Sequence, residues 1–119
     1  VLGLTALGRA THRPVPSRAG AQVNDGLWLT GPVGAAMLGF EALRDGTNAD
    51  STVYRRPLPL LAQGQALAPH VTAMMDLSDG LLLDASRMAR ASSVTFAIDS
   101  LAVPLAVPEN RRADALRWG

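Results

Sequence analysis

The sequence predicts an α/β fold, and three observations carry that reading. Residues 71–75 form a short apolar run, residues 79–92 follow with helical periodicity, and residues 94–98 return to an apolar run. Strand, helix and strand of these lengths make a compact α/β unit. A similar start lies upstream, where residues 27–30 read as a strand closed by Gly31-Pro32 and residues 33–44 as a helix. With 48% hydrophobic and 18% charged residues, the composition is that of a globular protein and not of a disordered tail.

Taken in order, residues 1–8 alternate and end in glycine, which suits a buried strand. Residues 9–24 hold Pro14 and Pro16 and read as a linker or crossing loop, so a domain boundary is expected near residues 9–20. In the helix over 33–44, Gly34, Ala35, Ala36 and Gly39 are small enough to let it lie close on a sheet. Asp45-Gly46 ends it, and residues 47–52 form a polar loop. Pro57 can open a further helix running to Ala68, because proline tolerates a first turn. In the helix over 79–92, Leu81, Ala85 and Met88 share one face, whereas Asp84, Arg87 and Arg90 occupy the other. Residues 101–108 are an apolar loop or weak strand, and residues 109–116 a short amphipathic helix. The chain starts at Val1 and stops at Trp118-Gly119, and both ends look cut from something longer.

Several function classes are disfavoured. The net charge is +1, from 11 basic and 10 acidic residues, and the basic residues are scattered, which makes a poor nucleic-acid surface. No cysteine is present, which excludes disulfides, zinc-thiolate sites and thiol catalysis. No run approaches the roughly 20 apolar residues needed to span a bilayer. His12 and His70 have no second histidine or cysteine near them in sequence, so neither suggests a metal site. Trp28 and Trp118 read as core or interface anchors, and the methionines as packing. The glycine-rich loop of P-loop nucleotide folds is absent.

The chemistry concentrates at Asp76-Leu77-Ser78-Asp79-Gly80, where an apolar run gives way to a helix. Ser78 suits the N-cap, and free amides at a helix start favour negative charge, phosphate included. Two carboxylates so close repel one another, and a divalent cation relieves that repulsion. Magnesium prefers one or two carboxylates together with phosphate oxygens. A metal beside a phosphate implies phosphoryl chemistry. The plainer reading is that an acidic, serine-bearing loop before a helix is ordinary capping.

The surrounding sequence weighs against that plainer reading. Residues 73–82, AMMDLSDGLL, with Asp84-Ala85-Ser86-Arg87-Met88 after them, resemble the signature of the thiamine-monophosphate kinases. Tyr54-Arg55-Arg56-Pro57-Leu58-Pro59 is similar to a stretch upstream of that signature. Leu4-Thr5-Ala6-Leu7-Gly8 resembles the last strand of the family's amino-terminal domain, and Arg18-Ala19-Gly20-Ala21 its entry to the second domain. The resemblance runs in order over nearly the whole chain. Departures are Asn24 and Ser93 where the family often has glycine, and Leu60 where it commonly has arginine.

The resemblance implies residues 1–8 as the end of an amino-terminal domain, 9–25 as a crossing loop, and 26–119 as most of a C-terminal domain like that of aminoimidazole ribonucleotide synthetase. It implies Asp76 and Asp79 as magnesium ligands, and Ser78 and Arg18 as ATP contacts. No residue is assigned to catalysis proper. Asp84 reads as a helix-surface or supporting residue, and Arg56 as structural. The parent reaction is expected to be ATP-dependent phosphorylation of thiamine monophosphate, in a cytoplasmic homodimer, with the isolated fragment inactive. A sister enzyme such as selenophosphate synthetase or a hydrogenase-maturation protein, or a non-catalytic binding or assembly domain, are the alternatives.

Overall fold

The computed structural model describes residues 3–118. Five α-helices run through them: α1 (Ala35–Arg44), α2 (Thr52–Arg55), α3 (Leu61–Leu67), α4 (Leu81–Ala91) and α5 (Arg112–Trp118). Short 3-10 turns at Ala68–His70 and Glu109–Arg111 extend α3 and introduce α5. Two isolated parallel bridges, Ser17 with Ala73 and Val33 with Leu105, are the only β pairings among the described residues.

The expected α/β fold is therefore corrected: the helices form, but no sheet does among the described residues. A strand is stable only when its backbone groups find a ladder partner. Here the apolar runs meet neighbours at single residues and go no further. A strand-like alternation is nonetheless present in one of the apolar runs. Val94, Phe96 and Ile98 are half-buried while Thr95, Ala97 and Asp99 are exposed, an alternation of period two with no partner to pair with. Residues 3–8, read as a strand, are exposed throughout and unpaired, and Val1 and Leu2 lie outside the described residues.

Helix boundaries shift for identifiable reasons. α4 begins at Leu81 and not at Asp79, because Gly80 is the N-cap with φ 106° and ψ 145°, and Ser78 makes no cap hydrogen bond. Proline at 57 and 59 starts no helix, and α3 opens at Leu61. The polar loop expected over 47–52 holds as far as Ser51, and the single-turn α2 opens at Thr52, where Tyr54 meets Phe40 of α1 with ring centroids 5.4 Å apart.

The core lies where the chain re-crosses itself. Val33, Leu81, Val103 and Leu116 are buried together, with Leu29, Ile98 and Leu105 packed against them. Val33 donates its N–H to Pro104 at 3.1 Å and accepts from Ala106 at 2.9 Å, which ties the start of α1 to residues 104–106. α5 lies across the start of α4 and also contacts α1. Arg111 joins α1 to the α5 entry, donating to Glu41 at 2.9 Å and to Asp114 at 2.8 Å. Trp28, read as an anchor, is 86% exposed, and Trp118 is exposed as well.

Candidate functional site

The acidic loop is positioned by the helix that follows it. Asp84 stands one turn into α4 and is only 1% exposed. Its Oδ2 accepts the backbone N–H of Ser78 at 2.8 Å and that of Asp79 at 2.9 Å. Its Oδ1 accepts Arg87 Nη1 at 2.8 Å, and the same nitrogen also meets Asp79 Oδ2. Amides that face a helix start normally need a cap. Here the cap comes from inside the helix, from a carboxylate reaching back over the N-terminus. The sequence pattern had put Asp84 on the polar side of α4, but in the structure it shares the buried face with Leu81.

Burial pushes the Asp84 carboxyl upward. The N–H groups of Asp79 and Ser78 and the Arg87 guanidinium outweigh it and hold the carboxyl below its ordinary value. Asp84 is thus held ionised with its lone pairs engaged. The signal that could have identified it was present: an acidic residue one turn into a helix, behind a loop whose amides lack another acceptor.

Asp76 and Asp79 are exposed on the same short loop, as is Ser78. Asp79 is paired with Arg87, and Asp76 makes no ion pair among the described residues. No cluster of three or more histidine or acidic side chains suited to a metal is found among the described residues. Two exposed carboxylates with hard oxygen donors are too few for a full protein cage. They do fit a magnesium ion that keeps water and takes further oxygens from a phosphate.

Arg18 is placed elsewhere. Its carbonyl accepts the Ser92 hydroxyl at 2.9 Å, and Ser92 Oγ in turn accepts the Ala21 N–H at 3.1 Å. Ser92 is the C-cap of α4, so Arg18 lies beside the end of the helix opposite the acidic loop. Eleven residues of α-helix separate the two ends by about 16 Å. Met74 N–H donates to Ser17 at 3.1 Å, and Thr72 Oγ1 donates to Asp25 Oδ2 at 2.5 Å, so residues 17–25 lie along 72–74. Ser78 and Asp79 thus stand at the head of α4 with Asp76 on the same loop, while Arg18 sits between the C-cap of α4 and the run that leads into that loop.

Two clefts flank the core. One, of about 400 Å³, is bordered by Leu27, Trp28, Leu81, Ile98 and Asp99. The other, of about 380 Å³, follows the Leu82, Ala85 and Ala89 side of α4 toward Phe96. Neither is lined by Asp76 or Asp79.

A model of the family described as AIR synthase related protein, C-terminal domain, matches residues 22–117. The chain is similar to the thiamine-monophosphate kinase of Escherichia coli K12, at 33% identity over 98% of this chain and 38% of that protein. The Halobacterium salinarum protein of the same name is 38% identical, covering 85% of this chain and 34% of its own length. That of Caulobacter vibrioides is 35% identical, over 88% and 31% respectively. The chain thus spans well under half the length of these relatives. No helix among the described residues is long and apolar enough to cross a membrane. Because the family model matches most of its length, the chain belongs to the AIR synthase related protein, C-terminal domain, family.

Proposed function

We propose that this chain is the part of a thiamine-monophosphate kinase that holds metal and nucleotide phosphate, in an enzyme converting thiamine monophosphate and ATP to thiamine diphosphate and ADP. The observation that carries the reading is the exposed Asp76–Asp79 loop, its backbone fixed by a buried carboxylate at the head of α4. The similarity to proteins named thiamine-monophosphate kinase supports the choice of substrate.

On this reading Asp76 and Asp79 hold magnesium, which when bound offsets the charge of the phosphoryl oxygens. Ser78 steadies the phosphate end of ATP. Arg18 follows Ser17, which pairs with Ala73 and Met74 just ahead of the acidic loop, and contacts the nucleotide as a second, cationic group. A guanidinium there suits recognition of an anionic or planar group. The chain by itself is expected to bind without turning over, since it supplies two carboxylates where a phosphoryl transfer between two polyanions calls for more cationic stabilisation. The parent enzyme is read as a cytoplasmic homodimer on the family resemblance.

Isothermal titration of the chain with ATP tests this reading. Heat of binding should appear with magnesium, vanish in EDTA, and be lost in Asp76→Asn and Asp79→Asn. Equal binding by both variants would overturn the assignment. A coupled assay with thiamine monophosphate should give no turnover above background, and full turnover would remove the claim that the fragment is incomplete.

A further inference from the structure

One guanidinium nitrogen, Nη1 of Arg87, touches two carboxylates that differ sharply in environment. The Asp84 side chain is 2% exposed and anchored by two backbone N–H donors, whereas the Asp79 side chain is 52% exposed. Arg87 itself is 39% exposed, one turn along α4 from Asp84. A positive charge already sits on Oδ2 of the Asp79 carboxylate, one of the two oxygens it could offer a cation. An arginine contact on a carboxylate oxygen and a metal–oxygen bond compete for the same lone pairs.

The geometry points to a placeholder: we propose that Arg87 neutralises Asp79 in the metal-free protein and gives it up to a divalent cation, while staying fastened to Asp84. The inference rests on the metal reading above and adds a residue to it. The two halves of the contact fail unequally. Breaking the Asp84 half would strand a buried carboxylate without its counter-ion. The Asp79 half is in contact with water, where an ion pair is weakly held and readily exchanged. Arg87 and Asp84 are therefore positioning residues. Asp84 sets the loop backbone, and Arg87 sets how readily Asp79 accepts metal and keeps two acidic side chains from repelling each other before metal arrives.

The experiment uses the whole chain and manganese(II) as a magnetic probe, with the free ion counted by electron paramagnetic resonance. Removing the competitor in Arg87→Met should tighten manganese binding by about two- to five-fold, the range set by the strength of an exposed ion pair. Adding Asp79→Asn to Arg87→Met should abolish that gain. A merely structural role for Arg87 predicts weaker binding in Arg87→Met, and unchanged or weaker binding overturns the proposal. A second measurement needs no substitution. On titration with magnesium, the Arg87 guanidinium resonance of the unsubstituted chain should shift and exchange faster, while the Ser78 and Asp79 amides stay protected. An Arg87 signal unmoved at saturating magnesium also overturns it. If the unsubstituted chain takes up neither ion, the metal reading falls and the placeholder with it. Uptake with no competition from Arg87 removes the placeholder alone.

Discussion

Gly80 lies directly under the carbonyl of Arg117, so close that a Cβ built at position 80 would stand 2.7 Å from that oxygen. The contact joins the loop before α4 to the last turn of α5. It also explains the glycine that ends the Asp-Leu-Ser-Asp-Gly run. The backbone there has φ 106° and ψ 145°, a region essentially closed to residues with a side chain. Gly80→Ala meets both obstacles together. It should cost about 1–3 kcal/mol from backbone strain, with further loss as α5 is pushed off α4. Urea denaturation followed by tryptophan fluorescence reads both effects, because Trp118 is in the displaced turn. An unfolding midpoint equal to that of the parent chain would contradict the packing described.

Replacing Asp84 by asparagine tests the loop's internal cap. The amide NH₂ would face donors where the carboxylate accepted from Ser78, Asp79 and Arg87. A buried donor left without an acceptor costs about 1–3 kcal/mol. The damage should be local as well as global. Hydrogen exchange at the Ser78 and Asp79 amides should accelerate more than at amides in the middle of α1. Uniform acceleration would mean that Asp84 supports the core and not the loop.

The same carboxylate gives a pH signature. The folded Asp84 titrates below its ordinary value, so the unfolded chain takes up the proton first as pH falls. The stabilisation is complete above the unfolded value near 4 and is lost as pH drops through the lower folded value. Metal-free chain should therefore show stability nearly independent of Asp84 ionisation between pH 5 and 7, then a fall below about pH 4. That fall should be smaller in Asp84→Asn. Curves of identical shape for the two proteins would remove Asp84 from the account.

Much of the site could be read from the residues, and much of the fold could not. The acidic loop, its place at a helix start and the helix itself follow from local chemistry: a glycine with an open backbone region, an apolar stripe and paired carboxylates. The sheet does not follow, because pairing depends on neighbours that residues 71–75 and 94–98 do not specify. The period-two pattern of 94–98 says which side is buried and nothing about which strand lies alongside. Asp84 was misplaced for a related reason. Periodicity sorts charged residues to the outside, and only the tertiary demand of two orphan amides draws one inside. Asn24 and Ser93, which stand out against the resemblance as replacements of glycine, have φ of 75° and 56°. The backbone keeps the left-handed conformation that a glycine would favour.

Ser93 offers a stabilising substitution on that basis. The Val94 N–H donates to the Ala89 carbonyl at 3.0 Å and the Ser93 N–H to Arg90 at 3.2 Å, so the end of α4 is a Schellman motif with Ser93 at its left-handed position. A side chain there costs roughly 1 kcal/mol relative to glycine. Ser93→Gly should recover much of this as a higher midpoint in chemical denaturation, with no change in ATP or metal binding. A lower midpoint would show that Ser93 contributes a contact that outweighs its strain.

The neighbouring Ser92 should behave in the opposite sense. Its Oγ both donates to the Arg18 carbonyl and accepts the Ala21 N–H, so a single hydroxyl closes the loop that carries Arg18 onto the end of α4. Ser92→Ala leaves both backbone groups to water or without a partner, at about 1–2 kcal/mol for two ordinary hydrogen bonds partly screened by solvent. Backbone spacing also holds this loop, since a Cβ at Gly20 would fall 2.0 Å from the Thr72 carbonyl oxygen. The loop in Ser92→Ala should loosen without leaving residues 72–74. Limited trypsin digestion reads this directly, because Arg18 is itself a cleavage site. Cutting after Arg18 should speed several-fold, by the loss of local stability, while cutting after Arg87, in the middle of α4, stays slow. If both sites are cut faster by the same factor, Ser92 stabilises the chain as a whole and does not hold Arg18 in particular.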